Sequence, residues 1–178
     1  MNLYVDTSNK YIILVLFNDS EIAYSKLEAN RNQAEIFVPY LSGFLKENNV
    51  TLEDIDKFFF AKGPGSFTGV RVGLTYAKAL KVSGYNNLYT INSLLVLCAN
   101  LENAQSVIDA RGKKYYYQEI IDGHIKEPQL IDYDQINIDS VNTYETAIDL
   151  IPNNVVNIVK NKLYSDDLEI LYIKEAIS

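Results

Sequence analysis

Glycine recurs at every fourth position over Gly65, Gly69 and Gly73, and Ala77 continues the series. That spacing is one ridge along a helix, and side chains this small let a second backbone lie directly against it. The preceding segment, Phe58-Phe59-Phe60-Ala61, is apolar at every position, as expected of a strand buried on both faces. Gly63-Pro64-Gly65-Ser66 interrupts it, so the chain must run strand, tight loop, helix, the helix spanning Thr68 to Val82 before Gly84. The pattern points to an α/β fold with helices packed on a sheet.

A glycine loop at a helix start invites a phosphate-binding reading, but two common forms fail. A Walker loop needs Lys then Ser or Thr after its last glycine, and Val70-Arg71 follow Gly69. A dinucleotide fingerprint is one residue shorter, and its following strand would end in an acid, which Leu88 to Ile91 does not. Packing explains the glycines better. Projected at about 100° per residue, the apolar arc from Ala79 through Gly69, Gly73 and Ala77 to Leu74 spans roughly 220°. A helix expected over about residues 32–48, which Pro39 should kink, carries an arc of roughly 200° through Ile36, Tyr40, Phe44, Phe37, Leu41 and Val38. A surface helix ordinarily buries a stripe a little over about 100° wide. Two such helices either pack on each other or present an apolar patch to another subunit, and the second is the expectation, because uncovered patches of that size are unusual. The residues expected to face a partner are Ile36, Phe37, Tyr40, Leu41 and Phe44 in the first helix. In the glycine segment they are Gly65, Phe67, Gly69, Val70, Gly73, Tyr76, Ala77 and Leu80.

Leu3 to Asp6, Tyr11 to Phe17 and Glu21 to Leu27 read as an antiparallel meander. The pattern restarts after Glu102-Asn103: Ser106 to Asp109 is a short strand ending in a carboxylate, and Tyr115 to Ile121 turns back at Asp122-Gly123. A helix near Asn153 to Leu163 and a strand at Leu168 to Ile173 follow. The chain thus divides into an N-terminal lobe, 1–102, and a reduced second lobe, 103–178. Asp6 and Asp109 occupy matching places, as do the acidic loops that face each other around Mg-nucleotide in actin-like ATPases. An ATP-dependent phosphotransferase or ATPase using Asp6 and Asp109 is therefore the alternative reading. It requires a glycine-rich adenosine loop in the second lobe, yet no glycine follows Gly123, and Asp6-Thr7-Ser8-Asn9 has none to let a phosphate approach the backbone. Asp6, Thr7, Ser8 and Asp109 are thus expected to mark a vestigial nucleotide site, with no catalytic residue, metal or cofactor.

Charge and rare residues narrow the options. The chain has 178 residues and a formal charge of −7, which argues against gripping nucleic acid or anionic membrane unaided. One cysteine, Cys98, cannot form an internal disulfide, and with the single histidine, His124, it cannot build a zinc site. His124 follows a hairpin-turn signal and reads as an exposed turn residue. Apolar runs such as Ile12 to Phe17 fall far short of the ~20 residues that span a bilayer, and no leader precedes the first strand, so a cytoplasmic protein is expected.

The segment from Gly63 through Val72-Gly73 resembles the signature of the TsaB family. Leu3 to Ser8, Asn92-Ser93-Leu94 and Ile108-Asp109-Ala110-Arg111 fall where that family has corresponding segments, and Leu171-Tyr172-Ile173 resembles its terminal strand. The resemblance is dense to about residue 120 and thin beyond. It implies an actin-like, ribonuclease H-like two-lobed fold with a shortened second lobe and no working nucleotide site. It also implies a non-catalytic dimerisation subunit for the catalytic subunit TsaD, in threonylcarbamoyl transfer to the tRNA adenosine beside the anticodon. The two over-apolar helices would form a bundle with TsaD, or with a second copy when alone. TsaE would join the complex, and tRNA would bind only within it. Many members carry a histidine in the first helix where Gln33 stands here.

Overall fold

A computed structural model describes residues 1–29, 32–98 and 102–173. Its first sheet holds β1 (Asn2–Asp6), β2 (Tyr11–Phe17), β3 (Ile22–Glu28), β4 (Lys57–Ala61) and β5 (Leu88–Ile91), in the order β3-β2-β1-β4-β5. β1, β2 and β3 pair antiparallel, whereas β4 lies parallel to β1 and β5 parallel to β4. Three strands in a meander followed by two parallel ones is the ribonuclease H-like arrangement on which actin-like lobes are built.

Strand alternation loads both faces of this sheet. Leu3, Val5, Ile12, Leu14, Phe58 and Phe60 point into one core, against α1 (Gln33–Glu47) and α2 (Phe67–Val82). Tyr4, Ile13, Val15, Phe59 and Ile91 point into the other, with α3 (Ser93–Val96) and α5 (Ile151–Lys160). The unbroken apolar runs of β2 and β4 follow from this, because a sheet covered on both sides has no polar face. α2 is capped by Ser66, whose Oγ accepts from the Gly69 amide. Pro39 sits inside α1.

The second sheet is a reduced copy of the first. β6 (Ala104–Arg111), β7 (Lys114–Ile121) and β9 (Gln129–Asp132) form a meander, with the two-residue β8 (His124–Ile125) on the far part of β7. Where the first sheet has β4 parallel to β1, the second has one parallel bridge, Ser106 to Asn142. A short α4 (Tyr144–Ala147) follows it. The expected strand over Leu168 to Ile173 does not form. The chain there meets the first sheet through the bridge of Thr90 with Ser165 and the Leu171 amide on the Lys62 carbonyl, too sparsely for a ladder. α3 is a single turn capped by the Asn92 side chain and ends at Val96. His124 is exposed after the Asp122-Gly123 turn.

Candidate partner interface and the sealed acidic turn

The glycine ridge of α2 faces inward. A Cβ added at Gly69 would lie 2.1 Å from the Thr7 carbonyl oxygen, and one at Gly65 2.4 Å from that of Ser8. At Gly73 it would lie 2.9 Å from Thr7 Oγ1. The backbone that the small residues admit is therefore the chain's own turn between β1 and β2. That turn is also tied to the glycine loop, since the Ser66 amide donates to the Ser8 carbonyl at 2.6 Å.

Asp6, which opens this turn, is fully buried. Its carboxylate accepts from the Ser8 amide at 2.7 Å, Ser8 Oγ at 2.6 Å, the Tyr144 hydroxyl at 2.6 Å and the Tyr4 hydroxyl at 3.3 Å. Burial raises its pKa above the ordinary 3.8, against the downward pull of those donors. Desolvation and the Asp6 charge hold the hydroxyls of Tyr4 and Tyr144 well above the usual tyrosine range. Asp109 is exposed and accepts instead from the Arg111 amide and the Tyr133 hydroxyl, so the two aspartates share no partner. Thr7 and Ser8 are buried. The turn that would cradle phosphate is filled by α2 on one side and Tyr144 on the other. Metal-ligand clusters are absent among the described residues.

Asp6 gives the protein a definite pH signature. Between pH 3.8 and its raised folded value, the folded state holds a proton that the unfolded chain has released, so this group's contribution to stability falls as pH rises through that window. Urea unfolding from pH 4 to 8 should show the wild-type stability dropping relative to Asp6→Asn across it. A pH-independent difference between the two proteins would contradict the assignment.

The outer surfaces of α1 and α2 are differently built. Their inner arcs cover the sheet, and the helices touch each other where the Phe37 and Tyr76 rings meet edge to face at 5.2 Å. The helices thus pack on each other, as one of the two sequence readings has it, and leave a groove between them. This groove, about 490 Å³, is lined by Phe67, Thr68, Arg71 and Val72 on α2 and by Ala34 and Val38 on α1. Val38 and Phe67 are 51% and 56% exposed, and Arg71 stacks its guanidinium over the Phe67 ring at 5.2 Å. A second hollow of about 660 Å³ continues past Val38 and Tyr76 along α1 to Val50.

This geometry corrects most of the expected partner-facing residues. Phe37, Leu41, Phe44, Gly69, Val70, Gly73, Ala77 and Leu80 are buried against the chain's own sheet and turn, Phe37 reaching only the floor of the groove and Leu41 that of the second hollow. Gly65 lies against Ser8. Ile36, Tyr40 and Tyr76 are half-buried at the margins, the Tyr40 hydroxyl bonding Ser25 Oγ. Phe67 alone of the set is openly exposed. A helical wheel shows how wide an apolar arc is but not which part the sheet takes. The groove residues Val38, Val72 and Ala79 lay on the outer flanks of those arcs, and that flank position was the signal available. Tyr144 carried none. Gln33 is buried and donates from Nε2 to the Asn9 carbonyl at 2.8 Å, pinning the start of α1 to the same turn.

Comparison with known proteins follows the same lines. The family model described as "TsaD: tRNA N6-adenosine threonylcarbamoyltransferase" matches residues 22–144. The chain belongs to that family. Several curated proteins similar to most of the chain are TsaB proteins. The tRNA threonylcarbamoyladenosine biosynthesis protein TsaB of Haemophilus influenzae is 26% identical over 160 residues, 85% of this chain and 68% of that protein. TsaB of Bacillus subtilis is 34% identical over 119 residues, 64% of this chain but 52% of that protein. The chain thus spans about half to two thirds of these relatives. A Pseudomonas aeruginosa crystal structure, described as an uncharacterised protein with similarity to peptidase YEAZ, superimposes with TM-score 0.79 at 17% identity, covering 98% of this chain and 100% of that one. This likeness shows the two-lobed fold. None of the described helices is long and apolar enough to cross a membrane.

Proposed function

We propose that this chain is a non-catalytic subunit in tRNA threonylcarbamoyladenosine biosynthesis, docking its α1–α2 groove onto the catalytic subunit TsaD. The carrying observation is an open apolar groove between two helices whose inner faces are already committed to the sheet. A groove lined by Val38, Phe67 and Val72 offers apolar area for a second molecule to cover. The sealed acidic turn supports the non-catalytic half of the reading, since Asp6 has no open side from which to meet a nucleotide or metal. TsaE and tRNA would join through the assembled complex, and alone the chain would pair with a second copy through the same groove. This assembly would form in the cytoplasm.

The test is to mix the purified chain with TsaD and follow the mixture by sedimentation. A 1:1 heterodimer is expected, and separate sedimentation at micromolar concentrations would refute the docking. Titrating Mg-ATP into the isolated chain should release no binding heat. Micromolar affinity would instead favour the phosphotransferase alternative built on Asp6 and Asp109.

A further inference from the structure

The Thr7 side chain reaches from the β1–β2 turn into the backbone of α2. Its hydroxyl donates to the Gly69 carbonyl at 2.7 Å and accepts from the Gly73 amide at 3.1 Å. Those two groups are the pair that an α-helix joins directly, residue i to i−4. A hydroxyl bridging such a pair holds the helix locally to a geometry set from outside it, as inserted groups do where helices bend. Thr7 is 2% exposed and lies on the inner side of α2.

The groove lies on the other side of the same stretch. Phe67 and Thr68 precede the Gly69–Gly73 bridge, Arg71 and Val72 sit within it, and Thr75 and Ala79 follow. The relative placement of the groove's two ends along α2 therefore depends on how the bridge holds the turn between them.

We propose that Thr7 is a positioning residue for the docking groove, its hydroxyl fixing the first turns of α2 from behind in the shape the partner meets. The proposal rests on the docking reading above and adds a residue that the partner never touches. A methyl in place of the hydroxyl cannot occupy 2.7 and 3.1 Å from polar backbone atoms, because carbon contacts settle near about 3.5–4.0 Å. In Thr7→Val the turn must shift, and the Gly69 carbonyl and Gly73 amide lose a partner. Thr7→Ser keeps the hydroxyl, and Thr7→Ala removes it without adding bulk.

Affinity for TsaD should be measured for wild type and the three variants at a temperature where each is folded by circular dichroism. Ile158→Ala, in the core on the sheet's other face, serves as a destabilised control. Thr7→Ser should bind as wild type does, while Thr7→Val and Thr7→Ala bind roughly tenfold or more weakly, a loss of about 1.4 kcal/mol, and Ile158→Ala is unaffected. If Thr7→Val does not fold, Thr7→Ala decides the matter alone. Wild-type affinity in Thr7→Ala, or an equal loss in Ile158→Ala, would overturn the positioning role and leave the docking reading standing. Failure of the wild type itself to bind would remove the docking reading, and this proposal with it.

Discussion

Gly69→Ala is expected to destabilise the protein by roughly 3–5 kcal/mol or more, placing it among the most damaging single-methyl additions the chain can suffer. The new Cβ would lie 2.1 Å from a backbone oxygen, that of Thr7, rather than from the movable end of a side chain. Relief would require moving the whole turn, which Asp6 holds through Ser8 and which the Ser66 amide holds through the Ser8 carbonyl. For a chain of this length each kcal/mol is worth about 2–4 °C in melting temperature, so a drop of roughly 6–20 °C is anticipated by calorimetry. Gly43→Ala provides the contrast. Gly43 lies exposed in α1 with nothing within 4 Å of an added Cβ, so the methyl should stabilise by about 0.5–1 kcal/mol through the lower entropy of the unfolded chain. Equal melting temperatures for the two variants would show that the close approach at Gly69 is not as described.

The second large effect concerns docking rather than folding. Val38→Glu combined with Phe67→Glu should weaken association with TsaD by at least about a hundredfold, since a carboxylate pressed against an apolar partner loses its hydration without gaining a pair. Folding should survive. Both sites are about half exposed, and Phe67 opens α2, whose first turn holds no acidic residue, so a glutamate there meets the helix dipole favourably. Four residues before Arg71, it also gains a helical ion pair. Sedimentation with TsaD and thermal unfolding, run on the same preparation, separate the two effects. Retained heterodimer with an unchanged melting temperature would remove the groove from the interface. Charged substitutions at Gly69 or Gly73 could not make this distinction, because they would break the fold before they reached a partner.

Much of the architecture was legible in the residues. Phe58-Phe59-Phe60 announced a strand covered on both sides, because only a two-sided core leaves no polar alternation. Ser66, the glycine ridge and Gly84 bracketed α2 to within a residue. The restart of the pattern at Ser106 to Asp109 signalled the second meander. The terminal segment shows why alternation alone does not make a strand: Leu168 and Ile170 pack into one core and Ile173 into the other, as strand residues would, yet the backbone there meets the first sheet only through the Leu171 amide, so no ladder forms.

The sequence by itself determined that α2 must meet another backbone at van der Waals range, because Gly69, Gly73 and Ala77 on one ridge, with Gly65 just ahead of it, permit nothing else so economically. It could not say whose backbone. Periodicity is a property of one helix, whereas the neighbour it touches is chosen by the path of the whole chain, and Thr7-Ser8 arrives at Gly69 from 62 residues away. Only the tertiary structure therefore decided that the glycines serve the fold, that Asp6 is sealed by Tyr144 from the second lobe, and that the open groove runs along the opposite side of the same helix.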